Sequence, residues 1–482
     1  MILLDGQSMT PERVAQIARG DETVGVTGPA LGRAHDAWQL GLALQDTRPI
    51  YGRTTGVGAN RKQAVGADDR AGHGLRLLRS HASGAGPLVS AELVRAMIAV
   101  RANQLAAGGA GLNPAVVEVL VDTLNRGDLP EIHRFGAIGT ADLTALAELA
   151  LTLQGERRWA GGAALRAEYH FESGDALPFL SSNALTLAEA SIACDDLGML
   201  TRASLVVASL SFVAARGNIE AYSQLVHGRN PDRGAALVAE TLRTLLDGGD
   251  APARIQDPYG FRAIPQTHGP LVDALRRSGS TLAAELNGAL ENPLISVDGA
   301  DIVHHAEFLT VAVALDLDAV RNALGYVGTL SLARLTRLHD PDFTGLGAFL
   351  AEGAPGSSGT MMLEYAAASA LSALRATATP SSLGSGVVLS RGMEEAASGS
   401  TQAAWQTTHA VTAFRTVISC ELIAAIRALR LSQRMPRDGV LAEACAVADR
   451  LNPDAQDRDL GADLAHADTL LPQLAALAKR CV

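Results

Sequence analysis

The chain has 482 residues, 48% of them hydrophobic and 19% charged, with a formal net charge of −11. That composition is globular, and its acidic balance argues against nucleic acid or an anionic membrane as a partner, since both require basic surface. Aromatic residues are only 4%, so the core must be built from Ala, Leu and Val, and Ala and Leu favour helix.

In chain order, the opening MILLDGQSMT has neither a basic segment nor a long apolar run. That predicts no signal peptide and a cytoplasmic protein. Thr10 can cap a helix, Pro11 fits its first position and Gly20 can close it. Residues 51–58 read YGRTTGVG, and the three glycines mark a tight loop. Leu93, Val94, Met97, Ile98 and Leu105 are spaced for one buried face of a helix. Residues 130–142 form a second Gly-rich loop, helix resumes at Leu143, and 174–183 reads as a third irregular segment.

Beyond Ser191, long Ala/Leu/Val-rich helices dominate, for example 309–326 and 411–431. The apolar run 203–215 is too short to cross a bilayer and predicts a buried helix. Loops are expected at 256–266, 353–359 and 380–399. Cys194, Cys420, Cys445 and Cys481 show no metal spacing and read as reduced thiols, with no metal site. The organisation expected is a mainly α fold in one continuous unit. Residues 1–190 form a loop-rich helical N-terminal part, and 191–482 a long central helical bundle.

Several loops carry chemistry. Arg262, in QDPYGFRAIPQ at 256–266, has a planar fork that can make two charge-assisted bonds to a carboxylate. Tyr51 could serve as a base. A free tyrosine has a pKa of about 10, so it would need nearby donors or positive charge. His81 lies in SHASGAG at 80–86, and Glu394 is followed by Glu395.

Together these segments resemble the aromatic amino acid ammonia-lyase family over nearly the whole chain. Residues 256–266 are close to its Q-D-P-Y-S-x-R-C-x-P-Q, and 51–58 to its Y-G-x-N/T-T-G-F-G. Residues 80–86 are similar to S-H-A-A-G-x-G of the histidine branch, and 101–111 to R-x-N-x-L-x-x-G-x-S-G. Glu285, Leu286 and Asn287 with Asn292, Pro293 and Leu294 resemble E-x-N-S-x-x-D-N-P-L. Glu394 and Glu395 stand where the family has Q-E-D-H.

The resemblance implies the ammonia-lyase (fumarase/aspartase-like) architecture and a homotetramer whose sites combine loops of several subunits. It implies Tyr51 as the catalytic base, Tyr259 beside the electrophile and Arg262 on the substrate carboxylate. His81 would lie against the substrate side chain, and Glu394 would help receive the amine or side chain.

The resemblance breaks at the electrophile. The family builds a methylidene-imidazolone (MIO) ring from Ala-Ser-Gly within G-S-V-G-A-S-G-D-L. The aligned stretch here is FGAIGTADL, so the tripeptide is Gly139-Thr140-Ala141. Ala82-Ser83-Gly84 is an Ala-Ser-Gly, but it belongs to the SHASGAG segment. Ring closure requires the third residue's nitrogen to attack the first residue's carbonyl, across a bend that glycine permits best. Ala141 adds a methyl group there, and an alkene made from Thr140 would carry another.

Ser181 stands where the family's supporting asparagine would be, and HHAEFL at 304–309 lacks the asparagine of G-G-N-F-H-G. No standard MIO is expected, with a modified ring from Gly139-Thr140-Ala141 as the alternative. Without the ring, enzymes still have to find about 8 kcal/mol or more, which calls for a more activated substrate. The expectation is a lyase for a small carboxylate-bearing, amino-acid-like substrate, with ammonia as the leaving group the resemblance implies. The alternatives are a non-catalytic ligand-binding paralogue and an MIO-free cyclase or isomerase of specialised metabolism.

Overall fold

In a computed structural model, Thr10 and Pro11 start the first helix as their chemistry predicts. The Thr10 side chain accepts from the Arg13 amide, and Gly20 ends the helix Pro11–Arg19 at a φ of 78°. Residues 1–482 are described except 21, 163–164, 173, 230–231, 248–250, 385 and 482. Helix dominates, as the composition predicts, and the strands are short.

The chain divides into two units. One comprises Met1–Asp195, Ser278–Leu317 and Pro380–Trp405; the other comprises Asp196–Arg277, Asp318–Thr379 and Gln406–Val482.

In the first unit, helix Ala91–Ala107 packs against Pro11–Arg19, Gly28–Leu44 and Ala115–Arg126. Ser90 caps its start and Gly108 its end. The spacing predicts one buried face, but burial is nearly continuous from Leu93 to Ala106, because neighbours close in around it. Within it Arg101 is fully buried. Its guanidinium donates to the Phe179 carbonyl at 3.1 Å, the Pro178 carbonyl at 2.6 Å and Glu291 Oε1 at 2.8 Å.

Segment 174–183, expected to be irregular, contains the short helix Ala176–Leu180, buried throughout. Its apolar side chains and the two carbonyls taken by Arg101 account for that order. Likewise 256–266 is not all loop. It holds the short helix Tyr259–Arg262 and the start of Ile264–Asn287. Pro265 sits at the second position of that helix, where no backbone donor is required.

The run 203–215 is the end of a 32-residue helix, Ala184–Ala215. By length and composition this helix and Ser400–Leu431 could cross a membrane, yet 78% of each apolar window is buried inside the protein. Such burial accounts for an all-round apolar helix. Cys194, Cys420 and Cys445 are free and buried; the side chain of Cys481 lies outside the described residues.

In the second unit, Glu421 joins three long helices. It accepts from Ser211 at 2.7 Å, from Ser331 at 2.5 Å and from Arg334 Nε and Nη2 at 2.6 and 2.8 Å. Arg334 also donates to the Gly260 carbonyl at 2.9 Å, which fixes the Tyr259–Arg262 turn. Arg334 and Glu421 are both fully buried. Removing one partner of such a pair strands the other charge away from water. Glu421→Ala is therefore expected to lower unfolding free energy by about 3–5 kcal/mol. Chemical denaturation checks this, and an unchanged midpoint would show that Arg334 finds other acceptors.

Candidate active site

Tyr51 sits on a turn braced from several sides. The Gly58 amide donates to its phenol oxygen at 2.7 Å, so the phenol's own proton is not used in that bond. A β-carbon on Gly58 would come within 2.4 Å of Ser390 Oγ, which itself accepts from the Ala59 amide at 3.1 Å. The Tyr51 amide donates to His304 Nε2 at 3.2 Å. Two residues on, buried Arg53 donates to the Gly111 carbonyl at 2.6 Å. Burial lowers the Arg53 pKa, and Asp175 opposes that shift.

The Gly139-Thr140-Ala141 turn is sharply bent. Gly139 has a φ of 85°, and Ala141, although not glycine, a φ of 90°. Holding alanine there costs on the order of 1–2 kcal/mol, so neighbouring contacts must maintain it. The Ala141 amide donates to Asn183 Oδ1 at 3.0 Å, and Asn183 Nδ2 donates to the Phe308 carbonyl at 2.6 Å. Ser398 Oγ donates to the Gly139 carbonyl at 2.8 Å. The Gly399 amide donates to the Ile138 carbonyl at 3.2 Å.

The Thr140 hydroxyl, at the tip, reaches Glu394 Oε2 at 3.5 Å. Next in the chain, Asp142 is buried and accepts from the Thr186 amide and hydroxyl, both at 2.8 Å. Burial pushes its pKa up to about 6 against those bonds.

Ser181 is buried, and its hydroxyl accepts from the Asn292 amide at 3.0 Å. The side chain that holds the turn is Asn183, which sequence reasoning did not single out. A signal was present: Asn183 directly precedes the apolar helix Ala184–Ala215, where a polar capping residue is common.

His81 ends the helix Arg70–His81, and its Nδ1 donates to the Leu77 carbonyl at 2.9 Å. Burial lowers its pKa, with the Leu77 bond and the charge of Glu394 opposing. The neutral ring then presents Nε2 as an acceptor. Glu285 stands apart from these contacts. Burial, with help from Glu307, pushes its pKa up to about 7, and its Oε2 is buried without a partner.

The first unit thus links Tyr51 through Ser390 to the 380–399 loop. That loop carries Glu394 to Thr140 and His81, and Ser398 to Gly139. Tyr259 and Arg262 belong to the second unit. There the Arg262 guanidinium lies 4.4 Å from the Tyr259 ring centroid, a cation–π contact. Oriented to satisfy both groups, the Gln256 amide oxygen accepts from both terminal nitrogens of Arg262 at 3.0 Å. Arg262 Nε is buried without a partner, and Tyr259 is exposed.

Residues 9–450 match the family described as aromatic amino acid lyase. The histidine ammonia-lyase of Caldanaerobacter subterraneus subsp. tengcongensis is 30% identical, over 96% of this chain and 95% of its own. That of Geobacillus thermodenitrificans is 33% identical, over 89% and 88%. Among solved structures, tyrosine aminomutase from Streptomyces globisporus superimposes with a TM-score of 0.92 at 26% identity, over 99% of this chain and 98% of that one. Histidine ammonia-lyase from Trypanosoma cruzi does so with a TM-score of 0.90 at 25% identity, over 100% and 95%. The ammonia-lyase architecture expected from the motifs is therefore the fold observed.

Glu285 yields a pH prediction. Its folded pKa is raised, so above about pH 7 the folded state carries a desolvated charge that the unfolded chain does not penalise. Below the unfolded carboxylate pKa, about 4.3, both states are protonated and the penalty vanishes. Glu285→Gln should unfold at a higher temperature than the parent at pH 8 and at the same temperature near pH 4. Thermal melts across that range check it, and parallel curves would remove Glu285 as the source.

Proposed function

Because the chain belongs to the aromatic amino acid lyase family, we propose that it eliminates a nitrogen leaving group from a small carboxylate-bearing, amino-acid-like substrate, with Tyr51 as base and without a standard MIO ring. The observation that carries this reading is the joint state of two turns. The Tyr51 turn keeps a backbone donor on the phenol oxygen. The Gly139-Thr140-Ala141 turn carries a methyl group at the residue whose nitrogen would close a ring, and Ser398 fills the place of a side chain at position 139. These residues do not fit the standard ring, so no step is routed through it.

The chemistry balances without it. Tyr51 takes the proton β to the nitrogen, the C–H electrons form the carbon–carbon double bond, and the C–N bond breaks. Arg262 suits the carboxylate by its fork geometry, and His81 suits the substrate side chain by its free ring nitrogen. A departing primary amine must be protonated, and Glu394 with the Thr140 hydroxyl is the nearby polar pair. A quaternary ammonium leaves as a neutral amine and requires no proton. That is the kind of activated leaving group an MIO-free site would favour, alongside the ammonia that relatives' names suggest.

The reading includes a homotetramer, because Tyr326, Met362 and Tyr365 in the second unit are exposed and apolar, and such a surface favours burial. Light scattering is expected to give four chains, and a monomer at micromolar concentration would overturn that part.

The main test has two stages. Intact mass should equal that of the unmodified chain; a deficit of two waters would overturn the ring-free mechanism. Turnover should then be sought with L-histidine, L-phenylalanine, L-tyrosine and their Nα-trimethylated counterparts. On whichever is consumed, Tyr51→Phe should lower kcat by about 10²–10⁴-fold, and undiminished turnover would remove Tyr51 as the base.

A further inference from the structure

We infer that Ser398 is a positioning residue that takes the place of a side chain at position 139 and holds the Thr140 turn by hydrogen bonding. The inference deepens the ring-free reading and rests on it. A β-carbon built on Gly139 would lie 2.0 Å from Ser398 Oγ and 2.7 Å from Ser400 Oγ. Real contacts of that kind do not occur, so a side chain at 139 and the Ser398 hydroxyl in its present rotamer exclude each other.

The hydroxyl does more than fill space. It lies 2.8 Å from the Gly139 carbonyl and 2.9 Å from Ser400 Oγ, and it accepts from the Ser400 amide at 3.1 Å. Ser400 Oγ in turn meets Thr310 Oγ1 at 2.8 Å. All three hydroxyl residues are buried, so their bonds form without competition from water and their geometry is set by one another.

On the other side of the turn, Asn183 holds the Ala141 amide. The two contacts grip the turn at its first and third residues and leave Thr140 to project towards Glu394. In this arrangement the turn is shaped by hydrogen bonds where a ring would shape it covalently. Thr140 keeps its hydroxyl as a group that faces the substrate.

A double-mutant cycle on the full chain tests this, with Gly139→Ala, Ser398→Ala and the two combined, read by thermal midpoint. Gly139→Ala should lower the midpoint, and Ser398→Ala in the same chain should recover part of that loss; the positive φ at 139 keeps recovery partial. If the two positions acted independently the two losses would add, and additive losses overturn the inference. If Gly139→Ala alone does not fold, folding of the double variant supports the inference. Failure of the double variant while Ser398→Ala alone folds normally overturns it.

Intact mass of the parent separates this from the parent reading. A deficit of two waters there would defeat the ring-free mechanism, whereas the exclusion between 139 and 398 is read from the cycle alone.

Discussion

The candidate site in the first unit depends on one buried guanidinium. Arg101 has no access to water, so each of its donors must find a protein partner or leave a costly orphan. It finds the carbonyls of Pro178 and Phe179 and the carboxylate of Glu291. Pro178 and Phe179 lie in the short helix Ala176–Leu180, and Glu291 in the stretch that follows the helix Ile264–Asn287, so satisfying one charge ties these two segments together. Ser181 and Asn292 are then brought within hydrogen-bond reach of each other, and Asn183 is brought to Ala141. Through Asn183, the bend at 139–141 is tied to the segment that Arg101 anchors.

That bend carries an alanine where backbone sterics favour glycine. The local cost of about 1–2 kcal/mol is comparable to one or two net hydrogen bonds. Asn183 on the Ala141 amide and Ser398 on the Gly139 carbonyl are hydrogen bonds of that size. The strain and the contacts that hold the turn are therefore of similar size.

Much of this is legible in the sequence. Thr10, Pro11 and Gly20 marked the first helix because capping is local chemistry. The glycine frame around Tyr51 and the order of residues around Arg262 pointed to loops with a purpose. What was not legible depended on tertiary neighbours. The helix Ala176–Leu180 exists inside a segment that looks irregular because Arg101, far away in sequence, takes its carbonyls. The run 203–215 looked short because polar Asp195, Asp196 and Arg202 break the apolar pattern, although the helix continues through them. Ser398 lies 259 residues from Gly139, and no local pattern connects a serine to a missing methyl group at that distance.

The Thr140 oxygen brings these strands together. Building the ring's alkene would expel that oxygen as water. Keeping it leaves a hydroxyl beside Glu394, able to pass a proton between the carboxyl group and a departing amine. One atom cannot do both. On the proposed ring-free reading, the retained hydroxyl gives the site a proton relay in place of an electrophile, and the substrate supplies the reactivity. Around that oxygen, Ser398 and Asn183 hold the turn from either side.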